Sequence, residues 1–275
     1  MRTKKMSCLV LKGGVLRPRF PITGAVLFFL AALSAGAQNA EEIVRASRDR
    51  IKADTTYTRS TMALRAKNGS ETRRVIEQFT KNGPGGDRVM IVFHEPRSVA
   101  GTRFLTIENP GAEDDRWIFQ PARGREQRIA QGDGSKSFVG TDFSNDDISS
   151  ANRDAELDTH TLVREEKVGE NPCYVIQSVP KDSSYQYSKM IQWIDKNTGV
   201  CHKIDLYDRK NALVKTLETL ELKLIEGRLT ATQTRMTSHA AGTSTQIIVD
   251  DIRYNANIPD GIFTRQFLAT GRVPQ

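Results

Sequence analysis

The chain has 275 residues, of which 38% are hydrophobic and 27% are charged, and its formal net charge is +7. Six of its 40 basic residues, and none of its 33 acidic residues, lie in the first 37 positions. The remainder is nearly neutral, which removes the main argument for a nucleic-acid partner. The part of the chain after residue 37 is long enough for one sizeable hydrophobic core.

Residues 1–37 have the three parts of a secretory signal peptide. A basic segment precedes the mostly apolar run Ile22–Leu33, and Ala35–Ala37 supply small residues for cleavage. The apolar run is shorter than the roughly 20 residues that a membrane-spanning helix requires, so a membrane anchor is the less favoured alternative. We predict export, cleavage after Ala37 and a single mature domain formed by residues 38–275.

The mature chain is predicted to begin with a short amphipathic helix. Between Ala40 and Ile51, apolar residues recur at helical spacing and charged residues occupy most other positions. Asn39 and Glu42 have the spacing of a capping box, which stabilises the first turn of a helix. A helix of this kind buries its apolar stripe against another part of the fold.

Strand-like segments follow from Thr55 onward. Runs rich in Thr, Val, Ile and aromatic residues alternate with turns, and Asn68-Gly69 and Glu226-Gly227 are typical of β-hairpins. Long helical periods are missing between these runs, which favours an antiparallel meander over a βαβ fold. The strands predicted in the second half are Leu157–Val168, Pro172–Val179, Tyr187–Trp193, Val200–Tyr207, Leu213–Ile225, Arg228–Ser238 and Thr243–Tyr254.

One polar segment, Gly132–Asp154, interrupts this pattern. It is rich in Asp, Ser and Asn, which predicts a loop or short helices between two blocks of strands. A calcium-binding loop that begins at Asp142 would need Gly at its sixth position and Glu at its twelfth. The chain has Asp147 and Arg153 there. We therefore predict a solvated acidic loop and no calcium site.

The sequence contains no recognisable catalytic apparatus. The motifs G-x-S-x-G, H-E-x-x-H and C-x-x-C do not occur in it. Each histidine stands singly in a strand-like run, where a packing or surface role is the usual one. These histidines are His94, His160, His202 and His239. We predict that the protein is not an enzyme and has no catalytic residue, no metal site and no cofactor.

Two cysteines, Cys173 and Cys201, remain after cleavage of the signal peptide. An exported protein is a permissive setting for a disulfide. If Cys173, Met190–Trp193 and Cys201 lie on three successive strands, however, the cysteines are about 10 Å apart, beyond the roughly 7 Å that a disulfide tolerates. The meander therefore favours two free, buried thiols, and a disulfide remains the alternative under another strand pairing.

A longer ordered pattern runs from Arg88 to Ile148. Its elements are Met90–Phe93 with Glu95-Pro96, Gly101–Leu105, Asp115–Pro121, Arg128-Ile129 and Ser137–Phe143. No single element is specific, but the whole series resembles the LolA-like "outer membrane lipoprotein-sorting protein" family of periplasmic proteins. The resemblance covers nearly the whole mature chain. It implies a mainly β fold, a half-open antiparallel β-barrel (LolA/LolB-like) with a short N-terminal helix and a central helical or loop lid.

The resemblance also implies a function. The expected protein is a periplasmic carrier that binds the acyl chains of lipids or lipoproteins in an apolar cavity and escorts them toward the outer membrane. Since the chain has no energy-coupling motif, an inner-membrane transporter is the expected loading partner, with peripheral membrane contact only and a monomeric state. The alternative is a periplasmic adaptor or partner of an inner-membrane lipid or efflux exporter, without lipoprotein cargo.

Large apolar residues are the candidates for the cavity. Several strands are apolar on both faces, a pattern that an ordinary closed core and a ligand cavity both produce. Composition favours the core, whereas the resemblance favours the cavity. The wall candidates are Phe93, Phe104, Trp117, Phe119, Met190 and Trp193, and the candidates on the lid side are Phe138 and Phe143. The family-like residues Arg128, Gly140 and Asp142 fit barrel closure as well as ligand contact.

Overall fold

A computed structural model describes residues 40–149 and 155–274. The predicted signal peptide, its cleavage site and the predicted cap Asn39 lie outside these residues. Most of the described chain forms one antiparallel sheet of 13 strands. The strands are β1 (Thr55–Arg65), β2 (Glu71–Lys81), β3 (Arg88–Glu95), β4 (Arg103–Ile107), β5 (Asp115–Gln120), β6 (Arg125–Arg128), β7 (Asp158–Val168), β8 (Asn171–Pro180), β9 (Lys189–Asp195), β10 (Cys201–Tyr207), β11 (Leu213–Ile225), β12 (Arg228–Ser238) and β13 (Thr243–Tyr254).

Short α-helices accompany the sheet. They are α1 (40–49), α2 (Asn145–Ser149) and α3 (Arg265–Thr270). Within the described residues, no helix is both long enough and apolar enough to cross a bilayer.

The sheet consists of two meanders joined at its middle. Strands β1 to β6 pair in sequence order on one side, β7 to β13 do so on the other, and β1 pairs with β13. The free edges are β6 and β7, so the barrel is not closed. This topology confirms the predicted mainly β fold and half-open antiparallel barrel.

Local turn chemistry fixes the register of the longest hairpin. Ile225 on β11 opposes Arg228 on β12, which leaves Glu226 and Gly227 as the two turn residues. Both have positive φ, 49° and 77°, as a type I′ turn requires. The bounds of β11, β12 and β13 are as predicted, and those of β7 to β10 differ from the predicted bounds by one or two residues.

The sheet curls so that distant strands face one another. Arg116 on β5 pairs with Asp146, and Lys215 on β11 pairs with the next residue, Asp147. Seven strand-to-strand steps separate β5 from β11, which is about 34 Å in a flat sheet. Two adjacent residues do not span that distance, so the sheet must curve around a space. The side that faces this space is called the inner face below.

A hydrophobic cluster fills much of the inner face. It joins Met62 on β1, Phe104 on β4, Met190 on β9 and Met236 on β12, together with residues of the segment between β6 and β7. The cluster therefore depends on contacts between strands that are remote in the sheet.

Helix α1 packs beside this cluster. Ala40 and Val44 contact Ile176 on β8 and Ile194 on β9, on the inner face. The apolar stripe of the helix is thus buried on the sheet, as predicted. The helix ends at residue 49, so Ile51, which was predicted to belong to it, lies beyond its end and is exposed.

The outer face of β3 to β5 is also buried, because the C-terminal segment packs on it. Met90 on β3 and Leu105 on β4 contact Ile262 and Leu268 of that segment. The intervening Ile91 belongs to the inner cluster, since successive side chains of a strand point to opposite faces. Protein packing therefore accounts for strands that are apolar on both faces.

The two cysteines lie on opposite faces of the sheet. Cys173 opposes Asp195 of β9, whereas Cys201 opposes the adjacent residue, Ile194. Both thiols are free, which confirms the prediction of unpaired cysteines, although Cys201 is only partly buried. Burial raises the pKa of both thiols, that of Cys201 to about 12.

Candidate functional site

The segment between β6 and β7 covers the inner face, and residues 131–149 of it are called the lid. Its tip is a tight turn at Val139 and Gly140, both with positive φ. The turn is closed by the amide of Phe138, which donates to the carbonyl oxygen of Phe143 at 2.8 Å. Both phenylalanines belong to the inner cluster, so the lid turn presents two aromatic side chains to the sheet.

Phe138 is fully buried in the inner cluster. Its ring meets that of Phe104 edge-on, with centroids 5.0 Å apart, and lies 5.7 Å from the ring of Phe93. Aromatic pairs of this kind contribute about 0.5–1.5 kcal/mol beyond simple burial. The lid therefore fills the inner face with its own aromatic side chains.

Polar contacts surround this aromatic centre and tie the lid tip to β13. The carboxylate of Asp142 accepts hydrogen bonds from the hydroxyls of Thr243 and Thr245, the latter at 2.7 Å. The amide of Asp142 donates in turn to the Thr245 hydroxyl at 3.0 Å. Asp142 thus holds the lid tip on β13 in this structure.

At α2, two adjacent carboxylates reach opposite walls of the barrel. Arg116 of β5 donates to Asp146 at 2.5 Å. Lys215 of β11 and the Tyr187 hydroxyl donate to Asp147 at 2.8 and 2.9 Å. The two carboxylate side chains are only 13% and 7% exposed. The prediction of a solvated acidic loop is therefore wrong, because the sheet supplies a cation for each charge.

Helix α2 depends on these contacts. The Ser144 hydroxyl accepts from the Asp147 amide at 3.0 Å, and the Asp147 carboxylate accepts from the Ser144 amide at 2.8 Å, which is a capping box. Burial, and then the charge of Asp147, raise the pKa of Tyr187, so its phenol remains a neutral donor. A helix of five residues has little stability of its own.

Arg74 on β2 contacts the lid tip from the inner face of the sheet. Its Nη1 donates to the carbonyl oxygen of Val139 at 2.5 Å. Burial lowers the pKa of the Arg74 guanidinium, and no charged neighbour offsets that effect. Within the described residues, no carboxylate pairs with this half-buried cation.

A cavity of about 550 Å³ lies beside the lid tip, between the β1–β2 and β12–β13 hairpins. Leu64 and Phe143 form part of its wall and also pack in the inner cluster. Most of the remaining wall is polar, and it includes Arg65, Arg74 and Lys215. The cavity thus adjoins the apolar interior at one side and presents cations at another.

Several predicted cavity residues meet on the inner face. Phe93, Phe104, Phe138, Phe143 and Met190 are members of one cluster, brought together from β3, β4, β9 and the lid. Their contact with a ligand is part of the proposal below.

The other three candidates, Trp117, Phe119 and Trp193, lie on the outer face. On β5 the inward residue is Ile118, which opposes Phe104. Trp117 and Phe119 flank it and pack with the C-terminal segment. Trp193 belongs to a separate small cluster of β8 and β9. Strand alternation thus places these residues away from the enclosed space, and the proposed site does not include them.

A serine–histidine contact that the sequence did not predict occurs at β7 and β8. The Ser178 hydroxyl lies 2.7 Å from His160 Nδ1, and His160 Nε2 lies 2.9 Å from the carbonyl oxygen of Ala155. Both side chains are buried, and burial lowers the pKa of His160. A neutral His160 ring that donates a hydrogen bond to the Ala155 carbonyl oxygen and accepts one from the Ser178 hydroxyl satisfies this geometry. The contact therefore fits a packing role for His160. No group of three or more metal-ligating side chains occurs in residues 40–149 and 155–274.

Fold and lid together define a class of protein, the half-open antiparallel barrel with a covered apolar inner face. A family model described as "Uncharacterized protein" matches residues 85–270. This match covers more than half of the chain, and the chain belongs to that family. Comparison with curated proteins gives no match.

Solved structures agree with this assignment. A DUF1329 family protein from Desulfovibrio piger is 28% identical with a TM-score of 0.81, and the match covers 85% of this chain and 99% of that chain. An outer membrane lipoprotein-sorting protein domain from Vibrio parahaemolyticus is also 28% identical, with a TM-score of 0.79 and the same coverage. A LolA superfamily protein from Nitrosomonas europaea, 21% identical over 83% of this chain and 99% of that chain, has a TM-score of 0.69 and shows the fold. The resemblance to LolA-like proteins is confirmed.

Proposed function

We propose that this protein is a periplasmic carrier that binds the acyl chains of a lipid or lipoprotein on its inner face and escorts them toward the outer membrane. The observation that carries the proposal is the burial of the lid residue Phe138 in an apolar face assembled from distant strands. The description of the Vibrio parahaemolyticus relative as a lipoprotein-sorting domain supports it, and so does the predicted signal peptide.

In this proposal an acyl chain and the lid compete for the same apolar surface. Burying one Phe side chain is worth about 1.5–3 kcal/mol, and each buried methylene about 0.8 kcal/mol. Relative to water, burial of a long acyl chain therefore contributes more free energy than burial of the Phe138 and Phe143 side chains that it replaces. The apolar surface stays covered in the loaded and the empty state, which protects the empty carrier from aggregation.

Loading requires a partner in the membrane. One long acyl chain holds a lipid in its bilayer by roughly 10 kcal/mol or more, and the chain carries no nucleotide-binding motif that would supply this energy. We propose an inner-membrane transporter as that partner. The carrier itself acts as a monomer with peripheral membrane contact.

Replacement of the lid aromatic tests the carrier. In Phe138→Ala, a vacated inner site and a loosened lid are expected to raise the fluorescence of a bound apolar dye several-fold over the parent protein. The substitution also costs about 3–5 kcal/mol of stability, as truncation of a buried Phe does. Dye titration at a temperature where both proteins are folded by circular dichroism provides the measurement.

Trp117→Ala is the control, because Trp117 is a large aromatic candidate on the outer face. Its dye binding is expected to equal that of the parent. A dye signal that stays flat in Phe138→Ala, or rises as much in Trp117→Ala, would contradict a ligand site on the inner face.

A further inference from the structure

The cavity beside the lid tip has a wall suited to polar, negatively charged groups. Seven of its lining residues are serines or threonines, among them Ser70, Thr72 and Ser238. Three are basic and one, Asp142, is acidic. Both oxygens of Asp142 already accept hydrogen bonds from threonine hydroxyls of β13, so this carboxylate is occupied with holding the lid.

The cations of this wall are not fully neutralised. Lys215 pairs with Asp147 of the lid. Arg74 is half-buried, and its one hydrogen bond within the described residues goes to a backbone carbonyl, that of Val139. Such a carbonyl carries no formal charge, so the guanidinium keeps donors and a positive charge at the cavity. Arg65 adds a second guanidinium at the end of β1.

The cavity also adjoins the apolar interior. Leu64 and Phe143 line the cavity and pack against the inner cluster. A molecule with its apolar part under the lid would therefore place a polar end among the cations. The volume of the cavity, about 550 Å³, falls within the usual range of small-molecule sites.

We propose that this cavity is a headgroup subsite that selects lipids with an anionic, phosphate-bearing headgroup. The inference rests on the proposed function, since it assigns the polar end of the ligand whose acyl chains lie on the inner face. A guanidinium binds phosphate oxygens through two parallel hydrogen bonds. The surrounding hydroxyls donate to the remaining phosphate oxygens and accept from headgroup hydroxyls. A zwitterionic headgroup brings its own cation close to Arg74 and is disfavoured.

Competition between two lipids tests the subsite. The protein is mixed with equal amounts of phosphatidylglycerol and phosphatidylcholine with identical acyl chains, both dispersed in a detergent that is then removed by dialysis, so that no membrane partner is needed for loading. The protein is then re-isolated, and its bound lipids are quantified by mass spectrometry. The parent protein is expected to be enriched in phosphatidylglycerol. Arg74→Gln is expected to lower the ratio of phosphatidylglycerol to phosphatidylcholine by roughly tenfold or more, because loss of even one charge-assisted hydrogen bond has that effect, while total bound lipid persists.

Arg73→Gln is the matched control, because Arg73 directly precedes Arg74 on β2, points to the other face and pairs with Glu71. It removes the same charge from the protein and is expected to leave the lipid ratio unchanged. Arg65→Gln changes the cavity without touching the contact between Arg74 and Val139. It is expected to lower the ratio as well, which separates anion binding from loosening of the lid.

The outcomes distinguish the two proposals. Binding of both lipids in equal amounts, with no response to Arg74→Gln, would overturn the headgroup subsite and leave the carrier intact. An equal loss of preference in Arg73→Gln would overturn it too, as a general charge effect. Absence of any bound lipid would overturn the carrier itself. Excess inorganic phosphate is a further arm: displacement of phosphatidylglycerol by phosphate alone would assign the cavity to free phosphate, whereas retention supports a lipid headgroup.

Discussion

Carboxylates of the lid differ sharply in their surroundings. Asp133 pairs with Lys136 at the surface, where both side chains are exposed, and pairs of this kind contribute about 0–1 kcal/mol. Asp147 is buried between Lys215 and Tyr187 and also caps α2. Removing one partner of a buried pair costs about 3–5 kcal/mol, because it leaves the other charge uncompensated. Asp147 is thus one of the residues that hold the lid closed.

Asp147→Asn is therefore expected to open the lid locally. A loss of about 3 kcal/mol corresponds to roughly a hundredfold faster hydrogen exchange of the lid amides that are protected by closure. Exchange measured by mass spectrometry on peptides covering residues 137–148 reports this effect. Asp133→Asn, in the same segment, is expected to leave that exchange within about threefold of the parent. Equal exchange in the two variants would show that the Asp147 contacts do not hold the lid.

At the scale of elements, α3 is a short helix held by its neighbours. It has six residues, too few for independent stability. Leu268 is fully buried on the outer face, and Arg103 of β4 donates to the carbonyl oxygens of Leu268 and Ala269 near the helix end, at 2.5 and 2.9 Å. These contacts fix α3 on the sheet and bury the outer face of β3 to β5.

Leu268→Ala is expected to lower the free energy of unfolding by about 2–5 kcal/mol, as truncation of a buried Leu does. Urea unfolding followed by circular dichroism measures the change. Leu224→Ala provides the control, because Leu224 is 73% exposed on β11, and its loss is expected to cost no more than about 0.5 kcal/mol. Similar midpoints for the two variants would contradict the packing of α3 on the sheet.

Elements that depend on nearby residues were predictable from the sequence, and those that depend on distant residues were not. The turn at Glu226 and Gly227 follows from local chemistry, and with it the bounds of β11 and β12. The finding that Ile118 points inward, and not Trp117, does not follow from local chemistry. Both faces of β5 are partly buried, because α3 covers the outer one, so alternation alone left the choice open. The large aromatic side chains of Trp117 and Phe119 favoured the wrong choice, in which these two residues face inward and Ile118 faces outward.

The lid shows the same limit. Its position between two blocks of strands and its two phenylalanines were predicted from the sequence. The burial of its carboxylates was not, since the partners Arg116 and Lys215 come from strands on opposite walls of the barrel. A polar segment therefore looked solvated although the curled sheet supplies it with counter-charges.

At the scale of the whole molecule, a single sheet uses its two faces differently. The outer face of β3 to β5 is closed by the C-terminal segment through apolar packing. The inner face is closed by a lid with an aromatic centre and a ring of polar contacts to β2, β5, β11 and β13. Water replaces polar contacts at low net cost when a lid lifts, whereas exposed aromatic surface needs a new apolar partner. This asymmetry favours the inner face as the site of the proposed acyl-chain ligand.

The most direct test of that claim is photo-crosslinking with a lipid that carries a diazirine in its acyl chain. After loading and irradiation, peptide mass spectrometry locates the modified residues. Adducts are expected on inner-face residues such as Met62, Ile118 and Met236, with few on Trp117 or Leu268. Adducts concentrated on the outer face, or lipid bound without any inner-face adduct, would contradict it.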